Sequence, residues 1–214
     1  MALSNPLGKG DFVDLLSIAE AKFVLQWSQE KSVVPGDTLY ADRGPARWMA
    51  EISTVPMTHA DAEGLMALIN SRGGGLRTAL IYNPKMMYPT SDPSGATFGA
   101  ATPVVGTIAD RSNVALTGFP FGYGIPRGTF FQIVFDTSRY YLGQFAEAKT
   151  ASGAGAVTTV AVTPPLPAGI TSGDAVTVIK PAAKFRITPD SAYPDQVDTI
   201  YSRVSFAAEQ SYAA

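Results

Sequence analysis

The sequence predicts a mainly β protein with a single helix, and three observations carry that expectation. Glycine (20 residues) and proline (16) recur along the chain as punctuation. Between them lie short runs rich in Val, Ile, Thr, Phe and Tyr, residues that suit a pleated, half-buried surface. Only one stretch places apolar residues at helical spacing, and it carries its own start and stop signals.

The first candidate strand is Ala21 to Ser28, where Phe23, Leu25 and Trp27 share one face at a period of two. Leu39 to Asp42 and Arg47 to Val55 follow, the latter alternating Trp48, Ala50 and Ile52 with Arg47, Met49 and Glu51. Thr58 then opens the helix as N-cap, and Asp61 stands where a carboxylate favours the helix dipole. Ala62, Leu65, Met66 and Ile69 form its apolar stripe, expected to pack on the body, and Gly73-Gly74-Gly75 ends it. Leu76 to Tyr82 reads as a strand. Residues 83–113, with Tyr88-Pro89-Thr90-Ser91-Asp92-Pro93-Ser94-Gly95 near their start, read as one long loop, of a length that is usually functional or disordered and that in a subunit of an assembly can reach a neighbour.

From Leu116 onward the strands become short and closely spaced: Phe130–Phe135, Tyr140–Ala146, Val157–Thr163 and Ala175–Lys180. Such a series suits a small closed barrel, which leaves no open edge. Lys184 to Thr188 reads as an exit strand, and Asp195 to Ala208 as a longer strand returning to the body. The expected organisation is therefore a β-sandwich-like body of residues 1–113 and 187–214, with a barrel of residues 114–186 inserted in it.

Composition narrows the function. Only 16% of residues are charged against 46% hydrophobic, and net charge is −2. A globular average is nearer ~25% charged, so the surface suits either a protein largely covered by partners or simply a neutral, Thr/Ser/Gly-rich β protein. No run of Lys and Arg provides an electrostatic footprint for nucleic acid. No segment approaches the ~18 consecutive apolar residues of a membrane span. The start, Met1-Ala2-Leu3-Ser4-Asn5-Pro6 and then Lys9, Asp11 and Asp14, does not read as a signal peptide. The absence of cysteine removes disulfides and thiolate metal sites and fits folding in a reducing cytoplasm.

Catalytic chemistry finds little footing. His59 is the only histidine, so neither a usual zinc site nor a serine triad with a G-x-S-x-G motif is supported. Glu20, Glu51, Glu63, Asp136, Glu147 and Asp174 are scattered singly and read as solvated charges and turn formers. Gly73-Gly74-Gly75 follows a helix, so it lacks the positive N-terminus that cradles phosphate. The dense aromatics Phe119, Phe121, Tyr123, Phe130, Phe131, Phe135, Tyr140 and Tyr141 read as core and interface, with carbohydrate or base stacking as the minor alternative. Catalytic residues, metal ligands and cofactors are all expected to be none.

Several pieces in order carry a family resemblance. They are a first strand ending in Trp27, the turn Arg43-Gly44-Pro45-Ala46-Arg47-Trp48, the helix from Asp61-Ala62 to Leu68-Ile69, and Gly73-Gly74 before a strand ending near Pro84. A Gly128-headed barrel and Lys180-Pro181-Ala182-Ala183-Lys184-Phe185-Arg186 complete the set. This arrangement resembles the distal tail proteins of long-tailed bacteriophages and prophages. The resemblance implies a structural virion protein, not an enzyme: a tail-tube-like β-sandwich flanked by a helix, with an oligonucleotide-binding-type (OB-like) barrel. It implies a homo-oligomeric ring, six-fold, that joins the tail-tube protein to the hub and fibre proteins at the virion tail tip. The subunit would be made in the host cytoplasm, and the genome would pass through the ring without specific binding. The stretch 28–42 and the loop 83–113 are the candidates for the ring-closing hairpin. Another tail component, such as a tail-tube subunit, a hub protein or a carbohydrate-binding tip module, is the alternative.

Overall fold

The structure is a computed structural model that describes residues 3–213. Met1 and Ala2, part of the stretch read as not being a signal peptide, and Ala214 lie outside the described residues. The chain is mainly β with one α-helix among the described residues. A long hairpin comes first, β1 (Ile18–Val34) and β2 (Asp37–Thr54), followed by β3 (Met57–Thr58), α1 (His59–Asn70) and β4 (Thr78–Tyr82). Then come β5 (Val104–Asp110), β6 (Asn113–Thr117), β7 (Gly124–Ile125), β8 (Phe130–Phe135), β9 (Arg139–Phe145), β10 (Lys149–Thr150), β11 (Val157–Thr163) and β12 (Ala175–Thr177). The chain closes with β13 (Ala182–Ile187), β14 (Tyr193–Gln196) and β15 (Tyr201–Gln210).

The body is one antiparallel sheet ordered β1-β2-β15-β13-β4, with β14 and β3 both pairing to β15. The second layer expected of a sandwich is not a second sheet. It is supplied by α1, the N-terminal segment and one wall of the barrel: Leu7, Phe12 and Val13, Ala62 and Ile69, and Phe130 and Leu142 share one buried cluster with Trp48, Ala50, Ile52, Phe185, Val204 and Phe206. One layer of cover is enough because β2 and β15 bury only one face. Trp48, Ala50, Ile52 and Thr54 of β2 are buried, as are Ser202, Val204, Phe206, Ala208 and Gln210 of β15, while the residues between them are not.

The helix follows its local signals. Thr58 Oγ1 accepts from the Asp61 N–H at 3.2 Å, and Gly73 takes the left-handed conformation at φ 66°. Along the apolar stripe Ala62 and Ile69 are buried, whereas Leu65 and Met66 are partly buried. Ile69→Ala is expected to cost ~2–5 kcal/mol and Leu65→Ala clearly less. Chemical denaturation of the two variants checks the order; equal losses would mean that the helix seats on a different face.

The barrel is closed, with strand order β11-β6-β5-β12-β8-β9. It has six strands, where the OB-like reading implies five. Its interior is solid, filled by Val105, Val114, Leu116, Phe131, Ile133, Phe135, Tyr141, Phe145 and Val160 among others. Both expected boundaries shift. Val104–Asp110, expected in the body's loop, pairs with β6 as a barrel strand. Ala182–Arg186, expected in the barrel, pairs with β4 and β15 as an inner strand of the body sheet. The reason is covering on both faces: Ala182, Ala183, Lys184 and Phe185 are all buried, and a strand covered on both sides does not alternate.

Residues 83–113 are therefore not one irregular loop. Pro84–Met86 forms a 3-10 turn, and the buried Asp92 carboxylate organises the next stretch. It accepts from the Thr97 N–H at 3.2 Å and the Phe98 N–H at 2.8 Å. Phe98 is thereby held in the barrel core, where it packs edge-on against Phe119 and Tyr123.

Candidate functional site

The residues singled out for chemistry are mostly engaged by local structure. His59 uses both ring nitrogens: Nε2 donates to the Thr199 carbonyl at 2.9 Å, which leaves Nδ1 to accept from the Ser202 hydroxyl at 2.7 Å. It staples the start of α1 to the turn between β14 and β15. Glu147 accepts from the Ala161 N–H at 3.0 Å and lies 3.5 Å from Lys149 Nζ. Those contacts hold its carboxyl below the usual range, the backbone bond being the largest cause. Asp174 accepts from the Thr171 N–H at 2.7 Å, and Asp136 pairs with Arg139 at 3.4 Å. Glu63 is exposed on the helix. Among the described residues no group of three or more His, Cys, Asp or Glu is placed to hold a metal ion.

One pair of acids is brought together. Glu20 and Glu51 line a cleft of about 340 Å³ on the outer face of the body sheet, with Lys22, Ser53, Ser191, Tyr193 and Ser205. The β1–β2 register does this, setting Lys22 opposite Glu51 and Glu20 opposite Ser53. Thirty residues separate the two acids, so no sequence motif marks them. Chemically the groove is a solvated charge ladder. Glu51 pairs with Lys22 at 3.3 Å, and both side chains are more than half exposed. A general acid for glycoside cleavage needs burial to keep its proton, and this site lacks that burial.

The dense aromatics divide by face and form no open stacking platform. Phe131, Phe135, Tyr141, Phe119 and Tyr123 fill the barrel, while Phe130 turns to the body cluster. Phe121 alone projects, at the tip of a glycine-bearing turn, 82% exposed.

The feature that stands free is the β1–β2 hairpin. Fifteen paired positions run from Ile18↔Thr54 to Val34↔Asp37, with Pro35 and Gly36 in the turn. Its root lies on the body, where Ala21 is buried and Phe23 and Leu25 pack against the core. Beyond Gln26↔Arg47 the register shifts twice, around Trp27 and at Ser28↔Gly44. Such bulges bend a ladder and re-aim side chains. From there to the tip almost every residue is exposed, including Val33 (74%), Leu39 (54%) and Tyr40 (63%). At ~3.4 Å per residue the part beyond Ser28 reaches about 20 Å from the sheet.

The arm's two faces are similar in kind. Cross-strand pairs place Lys31–Tyr40 and Val33–Thr38 on one side, with Ser32–Leu39 and Val34–Asp37 on the other. Ion pairing is confined to its lower part, where Arg43 bonds Glu30 and Gln29 Nε2 donates to Asp42 at 2.8 Å. Of the two hairpin candidates named from the sequence, 28–42 is this arm, and 83–113 is folded against the barrel. Both strands of the hairpin also have open edges in this stretch, because β15 pairs with β2 only from Met49 to Ser53.

No family model matches the chain, and no curated protein sequence does.

Proposed function

We propose that this chain is a structural subunit of a phage tail, a distal tail protein that forms a ring between the tail tube and the tail-tip hub and fibres. The reading rests on the sequence resemblance, and one structural observation supports it: the β1–β2 arm. Val33, Leu39 and Tyr40, exposed near the tip of the hairpin, favour burial by a neighbour. An arm and the surface that receives it are different patches of one molecule. Such a contact is head-to-tail, and it closes into a ring when its rotation divides the circle. Low charge suits the uncharged centre of such interfaces. Among the described residues no helix is long and apolar enough to cross a membrane. The proposed location is the virion tail tip.

The test is the oligomeric state. Light scattering and electron microscopy of the purified protein, alone and with its tail-tube partner, are expected to give a closed multimer in at least one setting. Replacing residues 29–42 by a short Gly-Ser turn is expected to leave the melting temperature within a few degrees and abolish the multimer. A two-fold dimer in both settings, or a ring that survives loss of the arm, overturns the reading. So does polysaccharide hydrolysis that is lost on Glu51→Gln.

A further inference from the structure

We infer that the cleft at the root of the arm is a binding site for a saccharide carrying a carboxylate. The cleft measures about 520 Å³ and lies between two walls of one chain. One wall is the bulged stretch of the hairpin, with Trp27, Asp42, Arg43, Gly44, Pro45 and Ala46. The other is the barrel's Arg111 and the loop Pro165-Leu166-Pro167-Ala168. A second hollow of about 430 Å³, lined by Gln26, Trp27, Arg43, Arg47 and Glu209, shares Trp27 and Arg43 with it. Trp27 thus lines both hollows. Both volumes fall in the ~300–1,000 Å³ of small-molecule sites.

Both walls are pinned from behind, so the cleft exists in the free subunit. Leu166 is buried and its N–H donates to the Arg111 carbonyl at 2.6 Å, which turns exposed Pro165 outward and ties the loop to the β5–β6 turn. The Tyr141 hydroxyl, deep in the barrel, donates to the Pro164 carbonyl. On the opposite wall Ala46 is buried, and its carbonyl accepts from the Tyr212 hydroxyl at 3.2 Å.

The chemistry of the lining selects the ligand. Of the two tryptophans, Trp48 is buried and hydrogen-bonded, while Trp27 is 46% exposed at a bulge. A flat indole matches the apolar C–H face of a pyranose, leaving the ring hydroxyls for planar polar groups at its rim. Gln26, Asp42 and the guanidinium groups are of that kind. Charge then decides the class. Arg47 is paired with Glu209 at 2.8 Å and Arg43 with Glu30, while the Asp42 carboxylate keeps its charge and accepts from Gln29 Nε2 at 2.8 Å. Among the described residues Arg111 has no ion-pair partner, and a planar guanidinium at the mouth of an aromatic cleft is a bidentate seat for a carboxylate.

Calorimetric titration of the full chain with trigalacturonate and with neutral maltotriose tests this. Saturable binding is expected for the first and none, or at least tenfold weaker binding, for the second. Trp27→Ala is expected to weaken binding by up to about tenfold, the scale of one good aromatic contact, with Trp27→Phe retaining part of it. Arg111→Gln, at an exposed position, is expected to remove the preference for the acidic sugar while circular dichroism stays unchanged. Absence of binding at millimolar trigalacturonate overturns the inference, as does binding untouched by Trp27→Ala. If Trp27→Ala alters the oligomeric state and no saccharide binds, the cleft is a protein contact and the inference fails, while the ring reading stands.

Discussion

A chain in which Val104–Thr177 is replaced by a short Gly/Ser linker is expected not to fold. The barrel is inserted in the sequence, but it is fused in space. Strands β8 and β9 have alternating faces that serve two cores: Phe131, Ile133, Tyr141 and Phe145 point into the barrel, while Phe130 and Leu142 lie in the body cluster. The body's Trp48 depends on that wall. Its ring is 5.1 Å from that of Phe130, and its indole N–H donates to the Leu142 carbonyl at 2.8 Å. The buried Ala182 N–H donates to Gln132 Oε1 at 2.8 Å, and Lys184 Nζ sits 5.8 Å above the Tyr140 ring. Excision uncovers Trp48 and the Phe185 strand and orphans the Trp48 and Ala182 donors. Each large side chain returned to water loses ~1.5–3 kcal/mol, and each donor left unsatisfied costs ~1–3 kcal/mol. The sum is comparable with the whole ~5–15 kcal/mol stability of a domain. A cut at 114 and 186 is worse, because it also takes Ala182–Arg186 out of the middle of the sheet. Circular dichroism and thermal melting give the answer. A cooperative melt with native-like strand signal means the body stands alone and the shared wall is only a contact.

That fusion explains which parts of the fold were legible in the sequence. Where burial falls on one face, periodicity works. Trp48, Ala50 and Ile52 alternate as read, and Thr58 and Asp61 cap the helix as their types require. Where burial falls on both faces or on neither, the period is lost. Ala182 to Phe185, covered on both sides, does not alternate, and the expected domain boundary falls after it instead of before it. The arm, covered on neither, reads as short separate pieces, although Pro35-Gly36 between two β-rich runs is a turn signal for one hairpin. Val104–Asp110 is interrupted in the sequence by Gly106, where an added Cβ would lie 3.2 Å from the Ala115 carbonyl oxygen. Adjacent Phe130 and Phe131 look like one aromatic run, yet they belong to different cores. The candidate clefts were invisible for a simpler reason. Glu20 meets Glu51 through strand register, and Trp27 meets Arg111 through the docking of barrel on body. Neither is encoded in local spacing.

Gly155→Ala is expected to destabilise the protein by ~3–5 kcal/mol, at the far end of single substitutions. Two independent costs coincide there. The residue sits at φ +71°, and a Cβ placed on it lies 2.2 Å from the Phe119 carbonyl oxygen, a backbone atom that no rotamer change can move. The Phe119 N–H also donates to the Gly155 carbonyl at 3.0 Å, so the two segments are locked face to face. Any retreat drags Phe119 from Phe98 and Tyr123, which it meets at 6.2 and 5.7 Å. Two other glycines separate the costs. Gly128, at φ +83°, has nothing within 4 Å of an added Cβ, so Gly128→Ala should carry only the left-handed penalty of ~1–2 kcal/mol. Gly143 is not in the left-handed region, but its Cβ would lie 2.6 Å from the Tyr141 hydroxyl and 2.8 Å from the Phe131 ring. Both rings are fully buried, with Phe131 stacked on Phe145 at 4.3 Å, so Gly143→Ala should carry the overpacking cost of ~1–3 kcal/mol. Urea denaturation of the three variants should therefore rank Gly155→Ala as the most damaging, at about the sum of the other two. If Gly155→Ala costs no more than Gly128→Ala, the Phe119 turn yields freely, and the two segments are not locked face to face.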